Sequence, residues 1–400
     1  MLLRNWLAAS MALVVAGLIW SSGALVGLGA FVLIAGTLAR VWADKSLDNV
    51  RLERRLPESR AFPGGRLRLH YRVSNRKLLP LASLEVRDQL PEALAPPALQ
   101  LRPTGVPGVH EYSKTFHLGW FERAGWSLDL LCTRRGHYRI GPARLRSGDA
   151  FGLFTKQRTE ADVATVVVYP ETRPLPDLGL PAARPLGERS GRERLLEDPL
   201  RIAGIRDYQP GDAIRRIDWK ATARRGELQS RVYEPSSTHH LFLALNVDTL
   251  ERTWLGFLPQ VLEASIVVAA SIARWAAEQR YAVGLLANGN VPESDQPITI
   301  APGRGRDQLS NILESLAGIN PMTLVSLAAM LERQSHSLPF GATLVVVTVL
   351  MPQALAAVLR RLHGSGQQVV VLSMSGETWP KLLGDIPVQL VSAPGPEEPE

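Results

Sequence analysis

Between Tyr208 and Gly226 the chain reads YQPGDAIRRIDWKATARRG, which sets five arginines and lysines among Asp212, Asp218, Trp219 and two glycines. Side chains of these types can grip a phosphate, polarise a carbonyl or hold one another in ion pairs. From Arg206 to Arg231 seven basic residues (Arg206, Arg215, Arg216, Lys220, Arg224, Arg225, Arg231) accompany four acids (Asp207, Asp212, Asp218, Glu227), so local pairing can neutralise much of the charge. An arginine paired in bidentate fashion with Asp212 or Asp218 would fix a loop, and Gly211 permits the tight turn that positions Asp212. Nucleic-acid binding would call for a basic face with interleaved aromatics. Tyr208 and Trp219 are the only aromatics inside the stretch and the acids interrupt the field, so no nucleic-acid partner is expected.

Elsewhere the search for chemistry returns little. There is no GxSxG elbow, HExxH pair or His/Cys cluster. The PGRGRDQ run at 302–308 lacks the strand and lysine of a phosphate cradle and reads as a glycine turn before a helix. His239 and His240 adjoin a strand, where successive side chains point to opposite faces, so they do not converge on one metal. The strand HLFLALNV is followed by NVDTLERTW. In a von Willebrand factor A domain an Asp-x-Ser-x-Ser run at this place supplies oxygens to a divalent ion. Here Asn246, Asp248 and Thr249 are the weak candidates, Leu250 and Arg252 stand where hydroxyls belong, and Thr348 on a later strand has no supporting aspartate. No metal, cofactor or catalytic residue is expected.

The elements that would position these residues follow from composition. A 400-residue chain that is 46% hydrophobic can bury more than one core. Its formal charge of +7 is a mild excess of 45 basic over 38 acidic residues, not a polybasic tail. Cys132 is the single cysteine, which rules out an internal disulfide. Residues 1–46 read as a transmembrane helical hairpin, helices about 5–20 and 24–43 turning at Ser21-Ser22-Gly23, because the apolar run exceeds one span and suffices for two. Arg4 before it and Arg40, Lys45, Arg51, Arg54 and Arg55 after it place both flanks, and hence the soluble domains, on the cytoplasmic side of the cell membrane. Trp6, Trp20 and Trp42 lie near the helix ends, where indoles favour the interface.

Residues 47–170 carry short alternating strands such as Leu67-Leu69-Tyr71-Val73, a β-sandwich pattern closed by RRGHYRIGPARLRSGDAFGLF. Residues 171–204, rich in proline, glycine and charge, read as a linker. From 205 to 391 apolar strands alternate with helices, one of them opened by Asp307 as N-cap and another running through MTLVSLAAMLERQ. This predicts an α/β domain with a Rossmann-type parallel sheet. Residues 392–400 read as a disordered acidic tail.

Extended to RDYQPGDAIRRIDWKATARRGELQSRVYEP, the opening stretch resembles the signature of the domain of unknown function 58 family. Arg206, Tyr208, Gly211, Asp212, Arg216, Ile217, Trp219, Thr222, Ala223, Arg224, Leu228, Tyr233, Glu234 and Pro235 match it, and Asp218 lies among them. The resemblance implies an N-terminal membrane anchor, a β-rich middle domain and a von Willebrand factor A-like C-terminal domain. It also implies company with a MoxR-type AAA ATPase and a transglutaminase-like membrane protein. The expected role is a membrane-anchored, non-catalytic adaptor or assembly protein, with the signature residues as structural locks or partner contacts. A metal-dependent adhesion module is the alternative. The more intact relatives suggest such a site, from which this sequence departs at Asn246 and Leu250. Nucleic-acid binding and a hydrolase rank below both.

Overall fold

The structure, a computed structural model, describes residues 6–97, 99–181, 197–210, 212–235, 239–251, 256–292, 294–323, 325–335, 338–339 and 341–391. The chain divides into two units, the first ending at Tyr169 and the second beginning at Pro170. Of the expected segments, residues 182–196 of the linker and the tail (392–400) lie outside the described residues, as does Gly211.

The first unit opens with two apolar helices, α1 (Trp6–Ile19) and α2 (Gly23–Lys45), turning at Trp20–Ser22. They approach closely because glycines face side chains across the pair. A Cβ on Gly29 would strike Val14, and one on Gly36 would strike the Trp6 ring. With 23 residues α2 is about 34 Å long, enough to cross a hydrocarbon core of roughly 30 Å. Most of its apolar side chains, including Leu28, Phe31, Ile34 and Leu38, are exposed.

Eleven strands follow: β1 (Val50–Arg55), β2 (Arg60–Ala61), β3 (Arg66–Asn75), β4 (Leu81–Pro91), β5 (Arg102–Pro103), β6 (Val109–Leu118), β7 (Arg123–Leu131), β8 (Gly136–Ile140), β9 (Ala143–Gly148), β10 (Thr155–Glu160) and β11 (Ala164–Val168). They form three sheets, ordered β1-β3-β7, β10-β9-β4-β6-β5 and β2-β11-β8. The alternation in β3 does what its period demands: Leu67, Leu69, Tyr71 and Val73 are buried and the intervening residues exposed. One charge pair is enclosed by this unit. Arg54 donates to both oxygens of Asp88 at 3.1 and 3.2 Å and to the Ile140 carbonyl, while the Tyr71 hydroxyl donates to Asp88 at 2.9 Å.

In the second unit a two-stranded antiparallel hairpin, β12 (Glu197–Asp207) with β13 (Gln229–Pro235), carries the short helix α3 (Trp219–Arg225) between its strands. Residues 197–204 of the expected linker therefore belong to a strand, because they pair with β13. Beyond the hairpin come β14 (His240–Leu245), α4 (Pro259–Glu278), β15 (Ala282–Asn290), β16 (Pro297–Gly303), α5 (Gln308–Ala317), α6 (Leu327–Gln334), β17 (Thr343–Thr348), α7 (Gln353–Gly364), β18 (Gln368–Ser373), α8 (Pro380–Leu383) and β19 (Val388–Leu390).

The six strands order as β16-β15-β14-β17-β18-β19, so the first strand of the series is central and the chain winds outward in both directions. Five are parallel. The expectation of an all-parallel sheet is corrected at one edge, where β16 runs antiparallel to β15. Phe242 and Ala244 of β14 join a core with α6, α7 and α8, and α4, with Ile266, Ala269 and Ala273 buried, packs on β14 and β15. Helix α4 is also long and apolar enough to cross a membrane, yet more than half of its apolar window is buried inside the unit. Two helix starts differ from expectation. Asp307 precedes α5 without a capping hydrogen bond. In the expected helix MTLVSLAAMLERQ, Met322, Thr323 and Val325 are not helical, because the Ser326 hydroxyl accepts the Ala329 N–H and starts α6 there.

Candidate functional site

The hairpin β12–β13 and the residues it carries form an arm in which Asp207, Asp212 and Asp218 are engaged locally. Asp212 accepts from Arg206 at 2.7 Å and from the Gln209 N–H at 3.1 Å. The Arg206 hydrogen bond, followed by that of the Gln209 amide, holds its carboxyl below the usual carboxylate range. Asp218 caps α3 by accepting from the Lys220 and Ala221 N–H groups, each at 3.0 Å, and from Arg231 at 2.9 Å. The Ala221 amide and then Arg231 depress its pKa too. Gln229, fully buried, donates to Asp207 at 2.8 Å, and its own N–H is accepted by the Thr222 hydroxyl. The Tyr208 N–H closes the arm on the Leu228 carbonyl. Each of these contacts assembles backbone.

What the arm turns outward is different in kind. Trp219 is 64% and Ile214 74% exposed, with Leu228 and the charged Lys220, Arg224 and Arg225 also on the surface. Arg216 is half-buried in the short turn Ile214–Arg216. The side chains of Tyr233 and Glu234 lie outside the described residues, although their backbone belongs to β13.

A second cluster sits at the carboxyl ends of β14, β15 and β17, where open α/β sheets hold their ligands. Asn246, Asp248 and Asn288 interlock: the Asn288 amide donates to Asn246 at 2.9 Å and to Asp248 at 3.0 Å, and its oxygen accepts the Val247 N–H at 2.8 Å. The Thr323 hydroxyl donates to the other Asp248 oxygen at 2.6 Å, and the Asn246 amide reaches Thr348 at 3.1 Å. Thr249 accepts the Leu258 N–H and lies apart from this set. Hard donors are therefore present in Asn246, Asp248 and Thr323. The Asn288 amide, however, points its N–H bonds at the Asn246 and Asp248 oxygens that a divalent ion would need. Among the described residues no three His, Cys, Asp or Glu side chains are grouped as metal ligands.

Sequence reasoning singled out Asn246, Asp248, Thr249 and Thr348 but passed over Asn288 and Thr323. For Asn288 a signal existed, since it is a buried polar residue ending the apolar run AVGLLA. Thr323 stands in a loop between elements and had none.

Residues 204–389, which hold most of the arm and all but the last residue of the six-stranded sheet, match the family described as "Protein of unknown function DUF58". These residues belong to the DUF58 family. The uncharacterised protein YeaD of Bacillus subtilis (strain 168) is 28% identical over 226 residues, 54% of this chain. The match spans about half, 51%, of that relative's length. Among solved structures, the CARDB domain of a Pyrococcus furiosus protein is 18% identical, covers 30% of this chain and 91% of its own, and has a TM-score of 0.20. The sporulation control protein Spo0M of Bacillus subtilis is 12% identical with a TM-score of 0.20, covering 32% of this chain and 51% of that one. At such scores the likeness carries no argument, and the architecture of the DUF58 domain rests on its own strand order.

Proposed function

We propose that the protein is a membrane-anchored, non-catalytic adaptor whose DUF58 domain, of von Willebrand factor A-like fold, engages a cytoplasmic partner through its arm. The strand order with an antiparallel third strand supports that fold. The apolar α1–α2 pair supports the anchor, and the basic residues flanking it support a cytoplasmic location. The family resemblance suggests a MoxR-type AAA ATPase as the partner.

The observation that carries the reading is the division of labour in the arm. Asp207, Asp212 and Asp218 are engaged internally, while Trp219 and Ile214 remain exposed among cations. An isolated exposed aromatic of this size beside arginines has the make-up of an interface hot spot. At the sheet's carboxyl end, by contrast, Asp248 is already satisfied by Thr323 and Asn288.

Copurification from mild detergent, with nucleotide trapping, tests this. Trp219→Ala should leave the melting temperature within about 1 °C of wild type, as exposed sites do, and weaken capture of the ATPase by tenfold or more, on the order of 1.4 kcal/mol. Undiminished capture by the variant, or wild type repeatedly isolated alone, would refute the proposal.

A further inference from the structure

The turn between β9 and β10, within the motif SGDAFGLF, is not explained by the adaptor role. Phe151 is 78% and Leu153 43% exposed on it. The turn is nevertheless tightly built. The buried Asp149 carboxylate accepts the Phe151 N–H at 2.9 Å and the Phe154 N–H at 2.6 Å. The Asp149 carbonyl accepts the Gly152 N–H, and the Phe154 carbonyl accepts the Asp149 N–H. Gly152 sits at φ +71°, a left-handed geometry that allows the chain to close this way. Four backbone N–H groups are thus satisfied inside the turn, which holds two large apolar side chains outward. A loop with its amides paired internally can leave water at a far smaller penalty than an open one.

Its location selects the occupant. The Phe154 ring meets the Trp6 ring edge-on at 5.9 Å, and Trp6 lies against Gly36 of α2. Just after the turn, the Lys156 ammonium donates to the carbonyl of Asp44 near the end of α2. The turn therefore stands beside the end of the helix pair that leads into the sheets. There α2 exposes Leu38 and Val41, with Arg40 and Lys45 alongside. Exposed apolar side chains thus occur both on this end of α2 and on the turn that touches the helix pair, and Arg40 and Lys45 on the same end suit lipid phosphates.

We infer that the turn Asp149–Phe154 is a bilayer-binding wedge: Phe151 and Leu153 enter the boundary between headgroups and acyl chains next to the hairpin, and fix the β unit against the membrane plane. The inference rests on the reading of α1 and α2 as membrane-embedded.

The test uses the full chain reconstituted in phospholipid vesicles, with an environment-sensitive fluorophore at one introduced cysteine; native Cys132 is fully buried and stays unlabelled. Three sites are compared: Phe151→Cys in the turn, Ile34→Cys on α2, and Arg66→Cys at the far end of β3. The expected result is blue-shifted emission at 151 that is quenched by lipids spin-labelled near the headgroup and protected from aqueous iodide, with 34 also quenched by the lipid and 66 only by iodide. If 34 is quenched by lipid while 151 behaves like 66, the wedge is overturned and the anchor stands. Blue-shifted emission at 151 without lipid quenching would mean that protein covers the turn, and also overturns it. An unquenched label at 34 overturns the anchor and the wedge together. Because position 151 is exposed, unchanged melting of each labelled chain confirms that folding is intact.

Discussion

Replacing Asn288 with alanine should open the carboxyl end of the sheet, and the size of the effect follows from its three hydrogen bonds. Its side-chain oxygen is the partner of the Val247 N–H, which belongs to a residue only 1% exposed. An orphaned buried donor costs about 1–3 kcal/mol. Its amide also donates to Asp248, and a hydrogen bond to a charged group is worth roughly 1.5–3 kcal/mol. Asp248 is half-buried and keeps Thr323, so water can replace part of the second contribution and the lower ends apply. The expected loss is therefore about 2.5 kcal/mol, or roughly 5–10 °C in the melting temperature of a domain of this size. Amide exchange read by mass spectrometry across β14 and β15 should accelerate by roughly a hundredfold if opening there is limited by this network. A loss below about 1 kcal/mol, with unchanged exchange in those strands, would refute the claim that Asn288 closes the cleft.

The isosteric Asn288→Asp reverses the two donors and sets a second carboxylate about 3 Å from Asp248. It should be destabilised in chelator and regain melting temperature in magnesium or manganese, by more than wild type does; equal ion responses in the two proteins would contradict this. In the β unit, Asp88→Ala leaves the Arg54 guanidinium, 2% exposed, with only the exposed Asp162 carboxylate at 3.5 Å as counter-charge, and should cost about 3 kcal/mol, whereas Arg54→Met with Asp88→Leu should recover most of it. Denaturant unfolding of the single and double variants decides the matter, and a double variant no better than the single would count against it. The His240 imidazole is held below its ordinary value, chiefly by burial and secondarily by Arg304. Its folded form resists protonation, so its contribution to stability is complete above about pH 6.5 and lost as pH falls below that. His240→Gln should flatten the pH dependence of melting of the α/β unit in this range, and an unaltered profile would exclude the group.

What was legible in the sequence was set by burial. The strands β14, β15, β17 and β18 are enclosed on both faces, so each appears as a continuous apolar run. The alternation of β3 shows equally plainly because one face is buried. The antiparallel β16 did not announce itself, since PITIAPG is a half-buried edge strand flanked and interrupted by proline, and pairing direction leaves no local trace. Nor did β12, whose pairing is with β13 and whose composition reads as a connection. At the arm, pairing of Asp212 and Asp218 with arginines was readable from charge. Which arginines they choose depends on the hairpin register that sets Arg206 opposite Ser230 and Arg231 opposite Ile205. Thr323 and Asn288 meet Asp248 only because three segments distant in sequence converge at one end of the sheet.

The two clusters of the DUF58 domain also bear on one another. In an open α/β sheet the crevice beyond the strand ends is the default ligand site because the winding of the chain leaves it open. Here Asp248 is the one carboxylate in the network there, and amides from Asn246 and Asn288 occupy places where further carboxylates would be needed to hold a cation. Such a network rigidifies the strand ends without offering a charge to a ligand. The arm has the converse design. Asp218 alone serves both the α3 cap and Arg231, so few polar groups fix its shape and several cations are left at the surface around Trp219. On the reading proposed above recognition lies with the arm, and a partner that fits it should present an acidic rim around an apolar pocket sized for an indole. High salt should accordingly slow its association more than it speeds its release, as expected when rim charges steer encounter and the buried aromatic holds the complex. A partner whose binding is insensitive to both salt and Trp219→Ala would have to contact the domain elsewhere.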